Sequence, residues 1–445
     1  MRVVWLIILV LLVAGGGWAY TRMERTPPLI STRTTPAFAN GDYEHEFRFT
    51  DEGAGLRSAR VWLEVRGKEY ELANETFAGN ALTGAALEIE RPIKVMVKPK
   101  ELGIADGPAT LHASALDYSW SANTAEVEVP LTIDTKPPRM SLLTGLTYVR
   151  KGGSEVALYT VEEAVGQSGI SVGNRFFQGF VDPTDPKRFV AFYAIPAEGD
   201  GAAPALVASD RAGNEARVAL VANVMPRVFP EDKIELTDAF MQSKVAELLP
   251  GFTGTPLEGY LKINREMRKE NDATLAEMTS HSSGDRIWSG AFLQMPNTHA
   301  GAKFAERRSY MYKGEVVDKQ THMGYDFAST SHADIPAAND GVVVFAGPLG
   351  IYGNTVVVDH GLGLFSLYGH MSEIKAEKGR PVAKGETLGK SGTTGLAGGD
   401  HLHFAMLLDG SFVDPLEWFD PKWISEHIEG KLQAAAATTT TTKTP

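Results

Sequence analysis

Cysteine is absent from the 445 residues. Disulfides and thiolate metal sites are thereby excluded, and any metal must be held by histidine, aspartate or glutamate. A surplus of positive charge is lacking too: 43 Lys and Arg stand against 55 Asp and Glu, a formal net charge of −12. A nucleic-acid binder needs a basic stripe to neutralise phosphates, so nucleic acid is not an expected partner. Long apolar runs are missing everywhere except at the start of the chain. Histidine is scarce, 11 in all, which makes any cluster of it informative.

The one apolar run, in MRVVWLIILVLLVAGGGWAYTRMER, extends from Val3 to Tyr20 with Arg2, Arg22 and Arg25 around it. A hydrocarbon core of about 30 Å takes roughly 20 apolar residues in a helix, so this segment is just long enough to cross. It offers no clear small-x-small cleavage site, so over residues 1–26 an uncleaved membrane anchor is favoured over a removed signal peptide, and whether the segment is cleaved stays open. Basic residues at both ends leave the orientation open, although long following domains translocate largely regardless of charge.

The length implies several domains. From 27 to 225 the chain alternates apolar and polar residues in short runs broken by Gly, Pro, Asn and Asp, as in EHEFRFTDEG, SARVWLEVRG and SEVALYTVEE. That patterning predicts β-sandwiches. TPPLIS…GDYEHEFRFTDEGAG is echoed by KPPRMS…GGSEVALYTVEEAVG, so two tandem modules are expected, 27–137 and 138–225. Each ends in an Asp-to-Asn turn. The D-R-A-G-N turn at Asp210 to Asn214 resembles that of bacterial immunoglobulin-like domains. Trp62 and Trp120 are expected in the cores of these modules, which carry no charge or histidine cluster visible in the sequence.

After Pro230 the period changes. TDAFMQSKVAELL has Thr237 placed as an N-cap with Phe240, Val245 and Leu248 on one face, and Pro256 stands at a first-turn position of the next segment. A helical linker over 226–286 is expected. From 287 to 425 strands return with glycine-rich connections, a third, antiparallel β domain expected to fold and act unaided. The stretch 426–445, ending in QAAAATTTTTKTP, has too few varied apolar residues to offset the entropy of ordering and is read as a disordered tail.

Five polar residues of the third domain stand out: His322 and Asp326 in THMGYDFA, His370 in SLYGHM, and His401 with His403 in DHLHF. On a strand, residues i and i+2 share a face with Cα atoms about 6.6 Å apart, so His401 and His403 can look into one cavity while Leu402 and Phe404 face away. His322 and Asp326 would sit about 13 Å apart on a straight strand, too far to share an ion, so the segment must bend at Gly324. A helix would also bring i and i+4 together, but Gly324, Tyr325 and Phe327 make that geometry less favoured. A catalytic zinc takes three protein ligands and leaves a position open, and three of the five residues would suffice.

H-M-G-Y-D, L-Y-G-H-M and S-G-T-T-G-L-A-G-G-D-H-L-H-F resemble, in order, the three signature segments of the lysostaphin-like (LytM-type) zinc metallopeptidases of bacterial cell walls. The resemblance covers residues 288–420. It implies that His322, Asp326 and His403 bind Zn2+, that His370 and His401 are catalytic histidines beside it, and that water activated by the metal cleaves peptidoglycan stem peptides or cross-links. The apolar amino-terminal segment and the lack of cysteine fit an envelope address, with the bulk of the chain expected outside the cytoplasm and the amino-terminal segment in the cytoplasmic membrane. Arg307 falls near a family arginine that edges the site, which gives it a substrate-carboxylate or a structural role. His360, at a strand end, is read as structural. Gly398 and Asp400 depart from the threonine and proline of many relatives and put the loop shape in doubt. Two other readings stay open: a catalytically silent relative that binds peptidoglycan or regulates other hydrolases, and an adhesin or scaffold that works through its β repeats. The bond cleaved, latency and the oligomeric state leave no mark in the sequence.

Overall fold

The computed structural model describes residues 2–32, 37–85, 90–199 and 202–434. They divide into two compact units, Met1–Pro137 with Ser209–Asn214, and Pro138–Ala208 with Glu215–Pro445.

In the first unit, Arg2–Arg22 is a helix whose side chains from Val4 to Val13 are exposed. No helix among the described residues is long and apolar enough to cross a membrane, so the spanning anchor expected from the sequence is not supported. The continuous apolar run before the first glycine, Val3–Ala14, yields to Gly15–Gly17; at about 1.5 Å per residue it covers only part of a hydrocarbon core.

The rest of this unit is β. Leu29–Thr32, Tyr43–Thr50 and Glu90–Val97 make one sheet, and Phe38–Ala39, Thr124–Ile133, Gly107–Asp117, Leu56–Val65 and Lys68–Thr76, in that order, make another. The expected period of two is plain in Tyr43–Thr50, where His45, Phe47 and Phe49 turn inward. Phe47 and Phe49 meet Val61, Leu63, Leu111 and Leu131 from the larger sheet in one core. The Asp-to-Asn turns form as expected: the Asn123 and Asn214 backbone N–H groups each donate to the preceding aspartate's Oδ1, Asp117 and Asp210, at 2.9 Å. Trp62 is buried, but Trp120 is nearly half exposed, with its indole N–H donating to the Ala81 carbonyl at 3.0 Å. The Trp120 core expectation therefore fails.

The second unit joins what the sequence divides into 138–225, 226–286 and 287–425. Its main sheet runs His299–Ala302, Tyr325–Ala328, Leu402–Leu408, Leu364–Met371, Asn354–Gly361, Gly341–Pro348 and Pro381–Val382, with Ser411–Val413 branching from Leu402–Leu408. Both central strands are buried along their whole length, so each face of the sheet must be covered. On one face Tyr368, Phe404 and Met406 belong to a core shared with Tyr159, Phe192 and Trp288. On the other, Leu367, Ala405 and Leu407 pack with Met241, Tyr260, Ile263 and Leu275. The β strands of 140–208 thus cover one face of the main sheet, and the helices of 238–278 cover the other.

The helices begin where the sequence places them. Thr237 caps Asp238–Leu248, and Thr255 with Glu258 forms a capping box ahead of Pro256–Lys262. Lys244 of the first helix donates to the Thr393 carbonyl at 2.9 Å, and Glu247 accepts the Gly395 backbone N–H at 2.7 Å. These bonds fix the glycine-rich loop ahead of His401. At the chain end, Ile424–Glu429 is helical with Ile428 buried, and buried Glu155 pairs with His427 at 2.9 Å and Lys431 at 2.7 Å. The tail expected from 426 is therefore ordered at its start, because Ile428 has a core to enter. Residues 435–445 lie outside the described residues.

Two half-buried carboxylates that follow the Leu402–Leu408 strand hold the Pro138–Ala208 segment. Glu417 accepts the Ser154 backbone N–H at 2.8 Å, and Asp409 accepts that of Gln178 at 2.8 Å. Burial pushes both up to about 7. The folded chain therefore holds protons that the unfolded chain releases near pH 4, and the stability these groups contribute falls as pH rises from about 4 to about 7. Glu417→Gln should flatten the decline of melting temperature between pH 5 and pH 8, since glutamine can accept the same bonds without a charge. An unchanged slope would remove Glu417 from that dependence.

The shared core bears on the expectation that 285–425 acts alone. Phe192 lies 6.2 Å from Trp288 and 6.1 Å from Trp418, and Phe229 lies 6.4 Å from Phe304, ring to ring. A chain cut to 285–425 uncovers both sheet faces and should aggregate, whereas one starting near Pro138 should melt cooperatively. Scanning calorimetry distinguishes them, and a cooperative melt from the shorter chain would overturn this.

Candidate metal centre

His322 ends the strand Glu315–His322, and Asp326 lies in the next strand, Tyr325–Ala328. The break between them is the bend expected at Gly324. Its reason is space: a Cβ there would stand 2.6 Å from the Phe404 carbonyl oxygen and 2.7 Å from His403 Cε1. His403 follows from register. In the antiparallel ladder Asp326 pairs with His403, which pairs in turn with Gly369 of the neighbouring strand. With no side chain, Gly369 leaves room beside the imidazole.

Three ligand atoms converge. His322 Nε2 lies 2.9 Å from Asp326 Oδ1 and 3.0 Å from His403 Nδ1, and His403 Nδ1 lies 2.9 Å from Asp326 Oδ1. His322 Nδ1 faces the Lys303 carbonyl at 3.1 Å, so it carries the proton and leaves Nε2 as a lone pair aimed inward. The three atoms are then all electron-pair donors at contact distance, an arrangement a cation satisfies and two neutral imidazoles with a carboxylate do not. This donor set fits a divalent metal. Burial pushes His403 down to about 4, keeping it neutral as a ligand must be. Burial would raise Asp326, but a proton on His322 standing where a cation would sit, together with hydrogen bonding to His401 and His403, holds its carboxyl well below the usual range.

His401 and His370 stand beside this triangle. His401 Nδ1 donates to the Gly399 carbonyl at 2.7 Å, and its Nε2 lies 3.5 Å from Asp326 Oδ1, farther than the ligand atoms lie from one another. Burial lowers its pKa, but the bond to Asp326 outweighs this and leaves it raised. His370 Nδ1 donates to the Thr394 carbonyl at 2.8 Å, with its ring centre 4.8 Å from that of His401. Burial holds His370 well below the usual imidazole range. Its φ of +63° is unusual for a residue with a Cβ and costs about 1 kcal/mol or more, a strain found where a side chain is being aimed. All five expected residues thus meet at one cleft of about 220 Å³, walled on the helix side by Phe240, Tyr260 and Arg268.

The arginine at the site is Arg308. Its Nη2 donates to Asp326 Oδ2 at 3.2 Å and its Nε to Glu306 Oε1 at 2.9 Å, fixing the carboxylate from the side away from the histidines. Arg307 faces outward, mostly exposed, 3.8 Å from Glu231. The strand's alternation was the available signal, since Glu306, Arg308 and buried Tyr310 share a face. His360 is buried, with Nδ1 on the Asp340 carbonyl and Nε2 on Ser366 Oγ, both at 2.7 Å, a structural role as read. Asp400 anchors its loop by accepting Ser391 Oγ at 2.6 Å and the His332 backbone N–H at 3.1 Å. Gly398 has open space where a Cβ would go.

Gly324→Ala should expel His403 from its place, because the Phe404 carbonyl on the other side belongs to a ladder and cannot yield. Overpacking of this kind costs about 1–3 kcal/mol, so metal affinity should fall roughly tenfold or more in a chelator competition. Unchanged affinity would show that the ring has room to move.

Residues 320–415 match Peptidase family M23. Over 95 residues the chain is 38% identical to the DD-carboxypeptidase/endopeptidase Mpg of Neisseria meningitidis serogroup B, covering 21% of this chain and 22% of that protein. Over 96 residues it is 36% identical to the peptidoglycan DD-endopeptidase ShyA of Vibrio cholerae serotype O1, 22% of each. The chain thus spans about a fifth of the length of these relatives. Among solved structures, the catalytic domain of the antimicrobial peptidase lysostaphin from Staphylococcus simulans is 25% identical, with a TM-score of 0.24, covering 28% of this chain and 92% of that one. The five residues of the centre lie inside the matched segment, and the carboxy-terminal part of this chain carries a Peptidase family M23 domain of the LytM type.

Proposed function

We propose that this protein is a zinc endopeptidase that hydrolyses peptide bonds in peptidoglycan stem peptides or cross-links. The observation that carries the reading is the convergence of His322, Asp326 and His403 within 3.0 Å of one another, beside two histidines whose Nδ1 atoms are each tied to a carbonyl. The relatives' DD-endopeptidase names supply the substrate class. A silent binder would be expected to have lost part of this set, and none of the five residues is missing.

His322, Asp326 and His403 would hold a zinc ion, which would lower the pKa of water and polarise the scissile carbonyl, so that no protein nucleophile is needed. His401, oriented by the Gly399 carbonyl, takes the proton from the attacking water at Nε2 and delivers it to the leaving amine. His370, held by the Thr394 carbonyl, shares that duty or stabilises the tetrahedral oxyanion. Arg308 keeps Asp326 oriented. Phe240, Tyr260 and Tyr352 line the cleft that receives the peptide and exclude water from it. The protein acts in the cell envelope, outside the cytoplasm, where peptidoglycan lies, and the exposed apolar segment Val4–Val13 directs it to the membrane. The β modules, read as immunoglobulin-like from their turns, position the enzyme on the wall.

His401→Ala should keep the bound zinc and lose about 10²- to 10⁴-fold in hydrolysis, the usual weight of a general base. His403→Ala should lose both. Metal analysis together with mass spectrometry of peptidoglycan digests reads the two effects separately. Hydrolysis surviving in His401→Ala would remove that residue from the mechanism.

A further inference from the structure

The sequence shows no cluster of metal-ligand residues in the amino-terminal modules, yet the fold brings one histidine together with three glutamates. The strand Gly107–Asp117 lies between Leu56–Val65 and Thr124–Ile133, and in their registers His112 stands opposite both Trp62 and Glu128. The imidazole stacks on the Trp62 indole, ring centres 4.9 Å apart and planes 4° from parallel. Only 10% of the His112 side chain is exposed. Its Nδ1 is 3.4 Å from Glu126 Oε1 and 3.9 Å from Glu128 Oε1, and its Nε2 is 3.5 Å from Glu64 Oε2.

The buried Nδ1 has no hydrogen-bond partner among the described residues. A buried polar atom without one is costly, and here it points at two carboxylates. With the ring proton on Nε2, facing Glu64, Nδ1 presents a lone pair to Glu126 and Glu128, and three electron-pair donors meet within 4.8 Å of one another. A carboxylate behind the far nitrogen of a metal-binding histidine is the arrangement that fixes its tautomer. The stacked indole holds the ring plane. Glu126 and Glu128 side chains are 54% and 67% exposed, free to close on an ion from the solvent side.

We infer that His112, Glu126 and Glu128 form a second metal site, for a divalent transition-metal cation, on the outer face of the amino-terminal sheet. One imidazole with two carboxylates suits Zn2+ or Mn2+ better than Mg2+. Glu64 is a positioning residue, and water fills the remaining coordination positions. The inference shares no residue with the M23 centre and does not rest on the proposed function.

The test counts zinc on the full-length chain after equilibrium dialysis against Zn2+. The wild type should hold two ions. Glu126→Gln with Glu128→Gln should hold one and keep its peptidoglycan hydrolysis, and His112→Ala should do the same. The glutamine pair keeps the stacked ring intact, so it answers even if His112→Ala misfolds. Glu64→Gln should weaken the second ion roughly tenfold. His403→Ala should retain the ion at His112, which separates a failure here from a failure at the M23 centre. A glutamine double variant that binds as much zinc as the wild type overturns the inference.

Discussion

The carboxylate of Asp326 is the point on which the M23 centre turns. One of its oxygens touches His322, His403 and, more distantly, His401, while the other takes a guanidinium hydrogen bond from Arg308. A carboxylate largely withdrawn from water is tolerated only when its charge is answered, and here the answering groups arrive on three separate stretches of chain. His322 comes from the preceding strand, His403 from the ladder partner, and Arg308 from the strand paired with Glu315–His322. The sheet therefore has to be in register before the site exists. Met323–Gly324 is the hinge that lets two consecutive strands deliver residues four positions apart to one point.

Register alone would not hold a histidine strand that is buried on both faces. Leu402–Leu408 sends Phe404 and Met406 into a core built with the strands of 140–208, and Ala405 and Leu407 into a core built with the helices. His403 lies on the helix-facing side, so the helices determine what reaches it. Phe240, Tyr260 and Arg268 form one wall of the cleft, and Lys244 with Glu247 holds the loop that carries the Thr394 carbonyl, the partner of His370. Segments that looked like spacers are thus parts of the site's framework. A Cβ at Gly398 or Gly399 would meet nothing within 4 Å, so side-chain packing there does not help hold the loop.

Much of the centre was legible in the chain. The H-x-x-x-D and H-x-H spacings name four of the five site residues, since a strand's period of two and a bend at glycine follow from covalent geometry. Helix starts, marked by Thr237 as a cap and Pro256 in a first turn, were legible for the same reason: they are set by contacts between residues a few positions apart. The Asp-to-Asn turns likewise close within a few residues. Where an expectation failed, a longer-range fact was decisive. Arg308, not Arg307, reaches the site because strand pairing sets which face looks inward, and the helix past Ile424 is ordered because Glu155, far away in the chain, pairs with His427 and Lys431.

The sequence by itself determined the chemistry available: no thiolate, few histidines, and five residues whose types and spacings suit a metal and its proton carriers. These follow from composition and from contacts a few residues apart. Only the tertiary structure decided that residues 138–425 share their cores, that the aromatic wall of the cleft comes from the helices, and that His112 meets two glutamates on a sheet face. Each of those depends on which strands become neighbours and in what register, and that choice is made by the burial of both sheet faces together.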